Sequence, residues 1–402
     1  MFRLYTFLSA VNLVDGSVRV LLPLLAAASG YTQFEVSVIS FFLLIPWLAA
    51  PFAGAWIDRY GPSFAISWAA ITRSAFLLLA ALALATESSG SYVFVIWAVS
   101  AFVSGTCDMT TDVASISRLN ELSNSERGSV VEFSRLAIVQ TLFGTLLAPA
   151  VAGILVDGPE WISLFPLGCI ALLSIVVLHG QIVVRSVLDR DTEFNRPILQ
   201  ASLRGFRTIR ENPWLVRTML TVSLFNISSA ASGAVALVYY VQQLSVPAGT
   251  VGLSFVFVGA ASVVGGYLAP LLSEKFGFKI SVIIGIIGIL GNLFAPIVSH
   301  EFLVIVGTMS LFSLFAPVFG ANMISKRQEI TPAENRGSVN GAFQFAGIGI
   351  APLGAVAGGL FATLFGSVAV LCAVPFIGLV ACLVFRPWSL PVESDGLPER
   401  FV

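Results

Sequence analysis

Twelve long apolar runs, separated by short polar turns, constrain this 402-residue chain more than any other feature. They cover roughly residues 4–28, 34–56, 62–86, 91–116, 128–155 and 161–184, then 213–241, 248–272, 278–298, 302–325, 338–364 and 366–386. A run of about 20 apolar residues crosses a ~30 Å hydrocarbon layer as a helix. Inside lipid, every backbone N–H and C=O must be paired within the chain, so helix is the conformation open to such runs. Charged residues make up only 11% of the chain, where a soluble domain carries about 25%. The expected fold is an all-α membrane protein of twelve transmembrane helices in two pseudo-symmetric six-helix bundles. The first 28 residues mimic a secretory leader, but Asp15 and Arg19 interrupt its apolar core, and the segment reads as a retained first span.

Residues 185–212 form the only long polar stretch, rich in Arg and Asp. They read as a linker between an N-terminal bundle, residues 1–184, and a C-terminal bundle with a short tail, residues 213–402. Within the linker, Ile198 to Arg210 predicts an amphipathic helix lying on the membrane surface. The turns after spans 2, 4, 6, 8 and 10 hold Arg59, Arg118, Arg127, the linker arginines, Lys275, Lys279, Lys326, Arg327 and Arg336. The turns after the odd-numbered spans hold no Lys or Arg. By the excess of basic residues in cytoplasmic loops, both termini are expected in the cytoplasm of a cell-membrane protein.

Two internal repeats support the halves. Gly54-Ala-Trp-Ile-Asp58-Arg59-Tyr-Gly61 joins spans 2 and 3, and a shorter copy, Glu274-Lys275-Phe-Gly277, follows 216 residues later between spans 8 and 9. In each, glycine permits the turn and the charges stay out of lipid. Arg127-Gly-Ser-Val130 and Arg336-Gly-Ser-Val339 open spans 5 and 11. Both spans then become rich in small residues and proline, including Gly144, Pro149 and Gly153 in one and Gly349, Pro352 and Gly359 in the other. Such runs read either as close helix packing or as a bending seam.

Ionisable residues inside spans are costly and normally face protein or water. Here they are Asp15 and Arg19 in span 1, Arg73 in span 3, Asp108 and Asp112 in span 4, and Glu132 and Arg135 in span 5. The second half offers only Arg217, near a span end. Proton coupling, if present, therefore belongs to the first half. Asp15 and Arg19 share a helix face, either as a self-neutralising pair or as a cavity-facing proton acceptor with its arginine. Arg73 has Asp15 and Asp108 as candidate partners. Asp108 with Arg135, and Asp112 with Glu132, match in depth across the span 4–5 hairpin, as a structural network or a protonation site. Weaker candidates for substrate contact are Asn12, Gln140, Asn226, Tyr239, Phe312, Phe315 and Gln344. The sequence has no nucleotide-binding loop GxxxxGK[ST]. His179 and His300 form no catalytic cluster, and the four cysteines, all in apolar runs, have no metal-ligand spacing. No enzyme activity, metal or cofactor is expected, and no basic stripe suggests nucleic acid.

The Gly54 to Gly61 turn resembles the G-x-x-x-D-R-x-G motif of the major facilitator superfamily. The run from Gly144 to Gly153 resembles a degraded form of that family's antiporter motif, with Ala148-Pro149 where the motif has Gly-Pro and without its closing Gly-Gly pair. The segments from Leu203 to Leu215 and from Pro332 to Val339 are similar to ones in its bacterial drug-efflux branch, which includes macrolide and siderophore exporters. The resemblance implies alternating access, with spans 1, 4, 7 and 10 lining a central cavity. It also implies that Asp58 latches the cytoplasmic side against span 11, with Glu274 and Lys275 as the weaker counterpart.

The expected function is export of a small amphipathic or apolar compound by a monomeric carrier, in exchange for protons. An importing symporter or facilitator, and a non-transporting receptor or assembly factor on the same fold, are the alternatives. Asp58→Ala is expected to leave the protein folded but slow in transport; turnover at the wild-type rate would remove the latch.

Overall fold

The structure, a computed structural model, describes residues 2–86, 91–122, 136, 138–178, 198–332 and 335–389. Every regular element among them is helical. Span 1 is Phe2–Ala28, and a capping box at Thr32 and Glu35 starts span 2 at Gln33. Pro46 breaks span 2 into Gln33–Leu44, a tight turn Ile45–Ala49, and Ala50–Tyr60. Spans 3 and 4 are Pro62–Thr86 and Ser91–Leu122, and span 6 is Glu160–Leu178. Span 7 is Pro213–Val238 with a π-helical end Tyr239–Gln243. Spans 8 and 9 form one run, Ala248–Phe294, broken at Gly277. Span 10 is Phe302–Ser313 and Ala316–Ile330, and span 12 is Ser367–Phe385.

The glycines of the repeated turn carry backbone angles that disfavour other residues. Gly61 has φ 90° and Gly277 has φ 72°. Gly54 is different: a Cβ there would meet only Val113, at an ordinary 4.0 Å, so packing does not require it.

Spans 5 and 11 bend in the same way. Span 5 has a π-helical segment, Gln140–Leu147, leading into Ala148–Val156 with Pro149 in its first turn. Span 11 passes from Arg336–Gln344 through a π-helical Phe345–Gly349 into Ala351–Phe365, with Pro352 in the first turn. Proline lacks an N–H and its ring clashes with the carbonyl four residues back, so the preceding turn widens. In both bundles a serine of the first span grips the bend. Ser17 donates to the Ala148 carbonyl at 3.2 Å, and Ser223 to the Ala346 carbonyl at 2.7 Å.

Span 2 packs on span 11, and span 5 on span 8, joining the two bundles. Small residues set the second contact: a Cβ on Gly153 would lie 2.6 Å from the Leu253 nitrogen, and one on Gly252 2.5 Å from the Gly153 Cα. Leu79, Phe257, Leu303 and Phe365 lie exposed on the outside, as suits a surface bathed in acyl chains. The linker helix Ile198–Glu211 forms as expected, but it rests on protein. Ile209 is buried, the Phe206 ring meets Phe345 at 5.9 Å, and Gly205 abuts the backbone of Ser338.

At Gly354 a Cβ would run into the Ile227 carbonyl of span 7, whereas Gly307 has open space. Gly354→Leu is expected to cost about 1–3 kcal/mol of stability by overpacking. Gly307→Ala should cost nothing, since alanine favours helix. Thermal unfolding in detergent checks both.

Candidate translocation site

The charged residues of spans 1, 3 and 4 converge inside the N-terminal bundle. Asp15 pairs with Arg73, Oδ1 to Nη2 at 2.8 Å, and both are buried. Arg19 pairs with Asp108, Nη2 to Oδ2 at 2.6 Å, and Arg19 is 54% exposed. Asp15 and Arg19, one turn apart, thus do not neutralise each other; each reaches a different span. The Asp15–Arg73 contact is a close ion pair but not an aligned hydrogen bond. Among the described residues Asp15 Oδ1 and all three Arg73 side-chain nitrogens have no hydrogen-bond partner. Coulomb attraction does not need alignment, so the pair stands on its distance and burial. Among the described residues no arginine pairs with Asp112, which accepts from the Gln140 amide at 2.5 Å. Asn12, Asp15, Asp108, Asp112 and Gln140 share one small polar pocket with Thr111 and Ser115. Glu132, Arg135 and the Arg127 repeat lie outside the described residues. So do the side chains of Asp58 and Arg59, and with them the latch expected of that turn.

The C-terminal bundle has a cavity of about 300 Å³ between spans 7, 9, 10 and 11. Its walls are mostly apolar, with Phe225, Phe319 and Phe343, and its polar residues include Asn226, Gln344 and Arg327. Asn226 turns one amide N–H back to the Val222 carbonyl at 3.1 Å. Of the seven weaker candidates, Asn12 and Gln140 line the polar pocket, and Asn226 and Gln344 line this cavity. The other three line neither. The Tyr239 hydroxyl lies 3.4 Å from His300 Nδ1, the Phe312 ring fills the space left by Gly291, and the Phe315 backbone sits against Gly288. Glu274 and Lys275 are exposed, with Lys275 over the Phe276 ring at 5.3 Å.

Arg327 enters the sequence reading only as a basic turn residue. The signal that places it in the cavity is periodicity. Phe319, Met323 and Arg327 recur every four residues, on one face of span 10.

Cavity and pocket draw on the late turns of spans 4 and 10 and the early turns of spans 7 and 11, so both lie toward the end that carries the even-numbered turns. The opposite end is sealed between bundles. The Gln242 amide donates to the Ala27 and Tyr31 carbonyls, both at 2.9 Å. Gln33 and Gln243 both donate to the Ser367 hydroxyl. Asp157 accepts from the Gly249 N–H at 3.2 Å, at the positive start of the span 8 helix.

Two helical bundles around charged and apolar cavities, closed at one end, define a multi-pass integral membrane transporter for a small molecule. The family model of the Major Facilitator Superfamily matches residues 5–347, and the chain belongs to that superfamily. No curated protein matches the sequence. The structure is similar to the nucleoside transporter NupG, with TM-score 0.72 and 12% identity over 96% of this chain and 98% of that one. It is similar to a bacterial homologue of the iron transporter ferroportin in an inward-facing state, with TM-score 0.71 and 18% identity over 96% and 98%. A bacterial homologue of the human lysosomal transporter Spinster gives TM-score 0.64 and 13% identity, over 96% of each chain. At these identities the likeness is one of fold.

Arg73→Met or Asp15→Asn alone strands a buried charge or its donors, and each is expected to cost about 3–5 kcal/mol. The double variant should recover most of that loss. A double-mutant cycle by thermal unfolding tests it, and additive losses would mean that the pair is not a unit.

Proposed function

We propose that the protein exports a small amphipathic or apolar compound by alternating access, as a monomeric proton antiporter of the cell membrane with both termini in the cytoplasm. One observation carries the coupling. Among its described residues, the polar core of the N-terminal bundle joins three carboxylates, Asp15, Asp108 and Asp112, to two guanidiniums, Arg19 and Arg73. Among the described residues the surplus carboxylate is Asp112, held by an amide. It can gain and lose a proton without leaving an arginine unpaired, whereas protonating Asp15 or Asp108 would strand one.

In this reading a proton is held at Asp112 while the carrier returns empty, and leaves when substrate loads from the cytoplasm. Arg19–Asp108 and Asp15–Arg73 keep spans 1, 3 and 4 moving as one piece. The Asp58–Arg59 turn and its copy at Glu274–Lys275 act as cytoplasmic gates. Opening of the other end requires Gln242, Ser367 and Asp157 to let go. The outward direction rests on the segments from Leu203 to Leu215 and from Pro332 to Val339, which are similar to those of drug exporters.

The test is dye flux in proteoliposomes with an imposed pH gradient. Dye is expected to move against the proton gradient, and an ionophore that collapses the gradient should stop it. Asp112→Asn should leave dye binding intact and make flux indifferent to the gradient. Dye accumulating together with protons would establish symport in place of export, and flux indifferent to the gradient in the wild type would remove proton coupling.

A further inference from the structure

Arg327 is a cation in a largely apolar chamber, and no carboxylate among the described residues pairs with it. Its neighbour Lys326 takes Glu329, Nζ to Oε1 at 2.7 Å. The Arg327 guanidinium lies over the Phe343 ring, 4.3 Å from its centroid, and its Nε is buried with no hydrogen-bond acceptor among the described residues. A buried donor without an acceptor is costly, and more so when it carries charge. A salt bridge would relieve that cost, but the cavity offers only amides and hydroxyls, from Asn226, Gln344 and Ser229. Among the described residues no anion meets this guanidinium, and a ligand carboxylate would supply one.

We propose that this cavity is a binding site for an amphipathic carboxylate. The carboxylate sits on Arg327, and an aromatic or branched apolar body lies among Phe225, Phe319 and Phe343. The inference deepens the export reading by naming the substrate's charge. The planar guanidinium presents parallel N–H donors that match the two oxygens of a carboxylate, and stacking on Phe343 holds its plane. Asn226 and Gln344 supply further donors beside it. The volume of about 300 Å³ suits a small ring system. The two bundles also divide the work by sign. The Asp112 carboxylate of the first bundle disfavours an anion on its side, and the arginine that lines the cavity of the second attracts one.

Binding to the purified protein in detergent, at one pH and with no gradient, tests this apart from any proton coupling. Naphthalene-1-carboxylate, naphthalene-1-carboxamide and 1-naphthylmethylamine share one apolar body and differ in charge. The carboxylate is expected to bind at least about tenfold more tightly than the other two, as a charge-assisted pair requires. Arg327→Gln should abolish that preference. Arg327→Lys should keep part of it, because the charge remains while the fork is lost. A wild-type protein with no preference for the carboxylate overturns the proposal, as does a preference that survives Arg327→Gln. A carrier that fails to couple to protons but prefers the acid would refute only the antiport reading.

Discussion

The Asp15–Arg73 pair sets the terms for the N-terminal bundle. Arg73 has no exposed surface, in a span that otherwise carries only apolar and small residues. A guanidinium in that position is tolerable only against a fixed anion. Asp15 supplies it, and with it spans 1 and 3 become a single body. Arg19 extends the bond to span 4 through Asp108. Three spans that could otherwise slide in lipid, where no hydrophobic force draws helix to helix, are held by charge.

The C-terminal bundle is built on another plan. Its core is aromatic, as at Phe225 against Phe319 with ring centroids 5.3 Å apart, and neutral groups make polar contacts within it. Asn292 donates to Ser313 at 2.5 Å, and Ser273 donates to Asn322 at 3.1 Å. The backbone plan is nonetheless shared, down to the serine that grips the proline bend of spans 5 and 11. Duplication preserved the geometry while the side-chain chemistry of the halves diverged.

Most of the fold was legible in the residues because lipid leaves few options. Length fixed the spans, and the turn glycines Gly61 and Gly277 proved to hold positive φ. Partner choice was harder to read. Depth along a helix follows from counting, but rotation about its axis depends on neighbours, so Arg73 had two candidate partners and Asp15 a third possibility in Arg19. Arg327 escaped for a related reason: a basic residue near a span end serves topology first, and only its stacking on Phe343 marks it as a cavity residue. The contacts of the linker helix with Val339 and Phe345 were not legible, because an apolar face has the same pattern whether it meets acyl chains or protein. The cross-bundle bonds of Gln242 and Asp157 link residues far apart in sequence and left no local pattern to find.

The sealed end shows how biogenesis can limit a gate. Its turns carry no Lys or Arg, a bias by which membrane insertion fixes topology. The same bias deprives that end of the cations that ion pairs need. Among the described residues closure there falls to amides, one hydroxyl, a carboxylate on a helix dipole and glycine-lined contact. Apart from the Asp157 contact, which salt screens, such a lock is nearly blind to ionic strength, since neutral hydrogen bonds are not screened. It loosens instead with heat and with anything that competes for backbone carbonyls.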